Sequence, residues 1–121
     1  MKFITLIYSF LFVLTLNTGA NNFNYATGYA AINSMSSKAL INAMDRVDDR
    51  IYAVGEHGII LFSDDLGSSW TQSETVPFTN TLTDVACISK QKCWATGHDS
   101  TILHTADSGK TWVKQYEDVD F

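Results

Sequence analysis

The sequence contains a repeat of 42 residues, and this repeat limits the possible folds more than any other feature of the chain. Residues 51–72 (IYAVGEHGIILFSDDLGSSWTQ) align without a gap to residues 93–114 (CWATGHDSTILHTADSGKTWVK). Because the matches fall on turn residues and apolar positions, we expect both segments to share one backbone. The identical pairs are Ala53/Ala95, Gly55/Gly97, Ile60/Ile102, Leu61/Leu103, Asp65/Asp107, Gly67/Gly109 and Trp70/Trp112.

Each repeat unit has the pattern of four short β-strands with turns about ten residues apart. In the first unit we expect strands at Leu40–Asp45, Ile51–Val54 and Ile59–Phe62. A fourth strand is expected to start at Trp70, and the pattern begins again at Leu82. Apolar runs that alternate with polar turns, without a helical period, predict an all-β chain.

Four strands in about 42 residues is the size of one β-propeller blade. The sequence therefore predicts two four-stranded antiparallel blades of an incomplete propeller, at residues 40–81 and 82–121, preceded by a segment of uncertain structure at residues 21–39. A closed propeller has about four to eight blades, so two blades leave open edges. We expect either a truncated product of a longer gene or a chain that closes by self-association through those edges.

The turn before the last strand of each unit follows one pattern, S/T-x-D-x-G-x-S/T-W. Short Asp, Ser and Thr side chains bond to nearby backbone groups, and Gly adopts the positive φ that closes the turn. The Trp begins the next strand and packs its ring beneath the turn. Because these polar groups are used within their own turn, we expect a structural role for them. The residues are Ser63, Asp65, Gly67, Ser69 and Trp70 in the first unit and Thr105, Asp107, Gly109, Thr111 and Trp112 in the second.

Both turns resemble the Asp-box, or BNR, repeat. Residues 53–70 (AVGEHGIILFSDDLGSSW) and 94–112 (WATGHDSTILHTADSGKTW) together resemble the Ycf48/Hcf136-like propeller family, over roughly residues 35–116. This resemblance implies an exported, non-enzymatic propeller without a cofactor, which binds a protein partner such as a membrane protein complex during its assembly. Photosynthetic members of the family assist photosystem II assembly, and relatives in other bacteria carry the same domain.

Asp-boxes also occur in sialidases, so the alternative is a fragment of an Asp-box glycosidase whose catalytic residues lie in missing blades. Three arginines hold the substrate carboxylate in sialidases, but this chain has only Arg46 and Arg50, both in one expected turn. Carboxylate pairs such as Asp64/Asp65 also lie in turns, where acidic side chains are usually solvated. We therefore expect no catalytic residues in this chain.

Histidine and carboxylate side chains occupy equivalent turns of the two units, as Glu56-His57 and His98-Asp99, and His104 follows. Such a set binds a metal ion if the folded chain brings the side chains together. Polar residues beside a turn glycine are, however, ordinary turn content. We therefore expect no metal site.

The two cysteines of the chain, Cys87 and Cys93, are expected at facing ends of neighbouring strands. Residues that face each other across an antiparallel hairpin approach to about 4.5–5.5 Å between Cα atoms, which is within disulfide range. In an oxidising compartment this pair predicts a structural disulfide. A redox function is the minor alternative, because the spacing is not C-x-x-C. The equivalent positions of the first unit are expected to be Asp45 and Ile51.

The first 20 residues have the features of a signal peptide. Lys2 precedes the uncharged apolar run Phe3–Leu16, which is shorter than the roughly 20 residues of a membrane span. Small residues at positions 18–20 fit cleavage after Ala20. We therefore expect export to the periplasm or the cell exterior, or to a lumen in a photosynthetic cell, with an uncleaved anchor as the alternative.

The charge of the chain argues against a nucleic-acid partner. The net charge is −5, and the 8 basic residues are scattered along the sequence. Phosphate backbones are bound by clustered Lys and Arg side chains. We therefore expect no nucleic-acid binding.

Overall fold

The computed structural model describes residues 28–32 and 38–116. The expected signal peptide at residues 1–20 and the chain end at residues 117–121 lie outside the described residues. Within the described ranges, no helix is long and apolar enough to cross a membrane. The strands there are β1 (Ile41–Val47), β2 (Arg50–Gly55), β3 (Ile60–Ser63), β4 (Thr71–Gln72), β5 (Leu82–Cys87), β6 (Cys93–Gly97), β7 (Thr101–Thr105) and β8 (Val113–Tyr116).

The strands form two four-stranded antiparallel sheets, and in each sheet the spatial order equals the chain order. This confirms the all-β class and the two four-stranded units predicted from the repeat. Every strand limit expected for the first unit differs by one or two residues, and the pairing of the strands explains two of these differences. β1 continues to Val47 because Val47 pairs with Arg50 across a two-residue turn. β4 begins at Thr71, one residue after Trp70, because the first ladder pair of β4 joins Thr71 to Phe62.

The first strands of the two sheets do not keep the 42-residue offset. Met44 pairs with Ala53 in the first sheet, and Val85 pairs with Ala95 in the second. Ala95 lies 42 positions after Ala53, whereas Val85 lies only 41 positions after Met44. The second hairpin therefore contains one additional residue between its strands.

This additional residue corrects the expected equivalent of the disulfide pair. Cys87 pairs with Cys93, and the pair at the same ladder position of the first sheet is Arg46 with Ile51. Arg46, and not Asp45, is therefore the counterpart of Cys87. The prediction was wrong by one residue because the register of a hairpin follows its turn length, which a gapless alignment does not detect.

The main hydrophobic core lies between the two sheets. We call the side of the first sheet that carries Tyr52, Val54 and Ile60 its B face, and the side of the second sheet that carries Ala95 and Leu103 its A face. All five of these side chains are 0% exposed and belong to one apolar cluster. The two sheets therefore pack face to face, with the B face of the first against the A face of the second.

A link of residues 73–81 joins β4 to β5 and fills the end of this core. Val76 and Phe78 of the link are buried in the same apolar cluster. The backbone N–H of Ala30 donates to the Val76 carbonyl at 2.8 Å, and Gln72 Nε2 donates to the Ala31 carbonyl at 2.8 Å. Residues 28–32 therefore lie along this link.

Candidate functional site

The repeated pattern of the first turn is held by a closed set of hydrogen bonds. Asp65 Oδ1 accepts from Ser63 Oγ at 2.7 Å and from the Ser69 N–H at 2.8 Å, and Asp65 Oδ2 accepts from Ser69 Oγ. Ser63 Oγ accepts from the Gly67 N–H at 2.8 Å. Gly67 has φ 91°, where a glycine is favoured. This is the geometry that the predicted structural role requires.

The second turn repeats the same bonds. Asp107 Oδ1 accepts from Thr105 Oγ1 at 2.9 Å and from the Thr111 N–H at 2.9 Å. Thr105 Oγ1 accepts from the N–H of Gly109 at 3.0 Å, and Gly109 has φ 81°. The polar atoms of both turns are thus bonded within the turns.

These hydrogen bonds keep both turn carboxylates ionised. Donation from Ser69 and Ser63 lowers the pKa of Asp65 to about 2. Desolvation acts to raise the pKa of Asp107, but hydrogen bonds from Thr111 and Thr105 outweigh it and leave the pKa below the usual value. Neither carboxylate therefore carries a proton at neutral pH, as a general acid would need to.

The two turn tryptophans have different surroundings. Trp112 is 1% exposed between the sheets, and its ring lies edge-on to the Tyr52 ring at 6.2 Å. Its Nε1 donates to Ser73 Oγ at 3.1 Å. Trp70 is half-buried on the opposite side of the first sheet. Of the two tryptophans, only Trp112 therefore lies in the interface between the sheets.

Arg50 fastens the two sheets together. Its Nε and Nη2 donate to the Asp64 carboxylate at 2.6 and 2.8 Å, and its Nη1 donates to Tyr52 Oη at 3.0 Å and to the Ser108 carbonyl. Tyr52 Oη in turn donates to the Lys90 carbonyl at 2.6 Å. Because Ser108 and Lys90 belong to the second unit, this bonded set crosses the interface.

The structure therefore separates the two arginines considered for carboxylate binding. Arg50 is 8% exposed and held by four acceptors, while Arg46 is exposed and donates to the Asp48 carbonyl. Sequence reasoning missed the burial of Arg50. A signal existed, since Arg50, Tyr52 and Val54 alternate along one strand and therefore share one face.

A cavity of about 480 Å³ opens between the sheets, at the end that carries the β2–β3 and β6–β7 turns. We call it the turn groove; the side chains used below are Glu56, His57, Asn80 and Asp99. Asn80 Nδ2 donates to Asp99 Oδ2 at 2.9 Å, and the Asn80 carbonyl accepts from the Gly58 N–H at 2.7 Å. The link between the sheets thus forms one wall of the groove.

Gly58 allows the link to approach the β2–β3 turn. Its φ is 71°, and a Cβ at this position would lie 2.0 Å from the Phe78 carbonyl oxygen. No side chain fits in that space. The shape of the turn groove therefore depends on a glycine here.

The groove brings together part of the histidine and carboxylate set singled out in the sequence. Glu56, His57 and Asp99 line it, whereas His98 is not among the lining residues. His104 lies on β7, where its ring stacks on Trp94 at 4.6 Å. Across residues 28–32 and 38–116, no three such side chains are grouped to hold a metal ion.

Cys87 and Cys93 are joined by a disulfide at the turn end of the β5–β6 hairpin. Cys93 is 0% exposed and belongs to the core between the sheets. The Cys87 N–H donates to Asp45 Oδ2 of the first sheet at 2.7 Å. The disulfide therefore lies next to the interface between the sheets, where a redox centre would be poorly accessible.

Two antiparallel four-stranded sheets, packed face to face and closed by the same turn, are neighbouring blades of a β-propeller. Among solved structures, the chain is similar to Ycf48 bound to a D1 peptide, with a TM-score of 0.55 and 25% identity over 61% of this chain and 24% of that one. It is also similar to Ycf48 from Cyanidioschyzon merolae, with a TM-score of 0.54 and 18% identity over 68% of this chain and 28% of that one. The described residues form a Ycf48-like part of a β-propeller.

The matched part amounts to about a quarter of the solved Ycf48 chains, at 24% and 28% of their lengths. No family profile matches the chain, and no curated protein matches it.

Proposed function

We propose that this chain is an exported, non-enzymatic propeller protein that binds a segment of a partner protein in the turn groove. One observation carries the proposal: a solved Ycf48 propeller that is 25% identical to this chain holds a D1 peptide. By the same resemblance, the partner is a membrane protein complex during its assembly. Export through the N-terminal segment belongs to this proposal as well.

The turn groove has features that suit a peptide. Its volume of about 480 Å³ accommodates a few side chains, and it lies between two blades, a common location for binding sites. Glu56 and Asp99 place carboxylates at its rim, while the exposed Asn80 offers an amide. These groups can bond to the backbone N–H and C=O groups of an extended segment.

A non-enzymatic role is supported by the way the chemical groups are used. The turn carboxylates accept hydrogen bonds from their own turns, and Arg50 is bound to Asp64, Tyr52 and Ser108. Neither the turns nor Arg50 leaves a charged group free to hold a substrate carboxylate. No contact in the described residues favours the glycosidase alternative.

The test is a titration of the isotope-labelled chain with the D1 peptide sequence of the Ycf48 complex, followed by NMR. We expect saturable shift changes at residues 56–58, 78–81 and 99, and none with a scrambled peptide. A double variant, Glu56→Gln with Asp99→Asn, removes two charges but keeps hydrogen-bonding side chains of the same shape. The dissociation constant of this variant for the D1 peptide should rise by about fivefold or more, since a charged hydrogen bond contributes about 1 kcal/mol or more.

The matched control is Glu74→Gln with Asp84→Asn, which removes two exposed charges outside the groove. This control should bind like the unmodified chain. The proposal fails if the D1 peptide does not saturate the chain. It also fails if the groove variant and the control variant bind the D1 peptide equally well.

A further inference from the structure

The A face of the second blade shows what such a face does in this fold. Its apolar residues pack on the B face of the first blade and are all at most 5% exposed. They are Leu82, Val85, Ala95, Leu103 and Trp112.

At the same five positions of the first blade, two side chains are buried, two are half-buried and one is largely exposed. The ladder pairs and the repeat alignment identify the counterpart of each of the five residues in the first blade. These counterparts surround a cavity of about 290 Å³, and Met44 among them is 64% exposed, whereas its counterpart Val85 is 5% exposed. The lining residues are Ile41, Met44, Ala53, Leu61 and Trp70. The A face of the first blade therefore leaves apolar surface around Met44 open at positions that are covered in the second blade.

The B face of the second blade is open in the same way. Tyr52, Val54 and Ile60 of the first blade are 0% exposed. Their counterparts Trp94, Thr96 and Ile102 are only half-buried. The stacked Trp94 and His104 rings lie on this face, and next to them Val113, the ladder partner of His104, is 58% exposed.

We propose that these two surfaces bind each other between copies of the chain. The A face of the first blade of one copy docks on the B face of the second blade of another, as the second blade docks on the first within the chain. The contact is made by sheet faces, and not by the edge strands expected from the sequence. It does not depend on peptide binding in the turn groove.

The contact between copies should be weaker than the contact within the chain. Its apolar part is repeated, but three polar groups that fasten the internal contact are replaced. In the second blade, Ala86 replaces Asp45 and Trp94 replaces Tyr52 at the same ladder positions. The residue 42 positions after Asp64 is Ala106. Without the carboxylates and the phenol, the Arg50-type bonding across the interface cannot form. We therefore expect association that depends on concentration and is reversible.

The geometry also predicts how association continues. A head-to-tail contact uses a different face on each partner, so a dimer still offers one open A face and one open B face. Further copies can add until a ring closes. An assembly held by one self-complementary patch would stop at two.

The test uses one charged substitution on each face. Met44→Lys alters the A face of the first blade, and Val113→Lys alters the B face of the second. Both side chains are largely exposed, so the fold of each variant should be kept, which circular dichroism checks. Ser68→Lys is the control; Ser68 is exposed, and the repeat already has Lys110 at this position.

Light scattering coupled to size exclusion then gives the mass of each sample over a range of concentrations. The unmodified chain and the Ser68→Lys control should exceed the mass of two chains as the concentration rises. Each face variant alone should remain a monomer. An equimolar mixture of the two face variants should form a dimer and nothing larger, because one intact A face and one intact B face remain in the mixture.

Two results would overturn the proposal. One is an unmodified chain that stays monomeric at the highest concentration reached. The other is association that survives either face variant, as pairing of strand edges would.

Discussion

At the scale of single residues, two glycines of the same turn pattern have different tasks. Gly67 and Gly109 both have positive φ, at 91° and 81°. A Cβ on Gly67 would meet only Trp70 Cζ2, at 3.5 Å, which is an ordinary contact. A Cβ on Gly109 would lie 2.5 Å from Tyr52 Cε1 of the neighbouring blade. Gly67 closes a turn, whereas Gly109 closes a turn and also permits the blades to approach.

Gly109→Ala should therefore destabilise the chain more than Gly67→Ala. Both variants place a β-carbon at positive φ, which costs about 1–2 kcal/mol. Gly109→Ala should lose about 1–3 kcal/mol more, because Tyr52 is buried and must move. Denaturant unfolding monitored by fluorescence gives both free energies. Equal losses would mean that the two blades do not meet at Gly109.

Some residues could be predicted from the sequence and some could not. The turn residues such as Asp65 and Asp107 could be assigned because their bonds are local and repeat at a fixed spacing. The partners of Arg50 could not be predicted. Ser108 lies 58 positions away, and it accepts through its backbone carbonyl, which every residue type has. The open cavity around Met44 also depends on packing between sheets, which no local pattern encodes.

At the scale of elements, the β5–β6 hairpin differs from the β1–β2 hairpin by one residue and one disulfide. The disulfide joins the pair where the longer turn begins, and the Cys87 N–H next to it bonds to Asp45 of the first blade. A longer turn has more freedom in the unfolded chain. The disulfide limits this freedom and holds the end of the hairpin against the interface.

Removing the disulfide should lower the free energy of unfolding by about 2 kcal/mol, as for a short closed loop in the chain-entropy treatment. The measurement is thermal unfolding with and without a reductant. The matched control is the double variant Cys87→Ala with Cys93→Ala, which should be less stable and should not respond to the reductant. Two titratable thiols in the oxidised, unmodified protein would contradict the predicted bond.

At the scale of the whole molecule, the repeat predicted the number and kind of blades, but not which faces meet. Both blades carry apolar residues on both sides, so the sequence pattern alone is compatible with either stacking. The two stackings differ in their polar contacts. Arg50 bonds to Tyr52 and Asp64 at the B face of the first blade, and the B face of the second blade lacks this set. The stacking of the blades also creates the turn groove and leaves the two open faces.

The face-to-face stacking of the two repeat units is the claim on which the groove and the docking surfaces both rest. It is tested most directly by nuclear Overhauser effects between the ring protons of Tyr52 and the α protons of Gly109, which are 57 positions apart in the sequence. We expect these effects to be strong, together with a ring-current shift of the Gly109 protons, because the two groups are in contact. If they are absent, and no other effect connects residues 50–62 with residues 82–112, the two units do not stack in this way and the proposed sites do not exist.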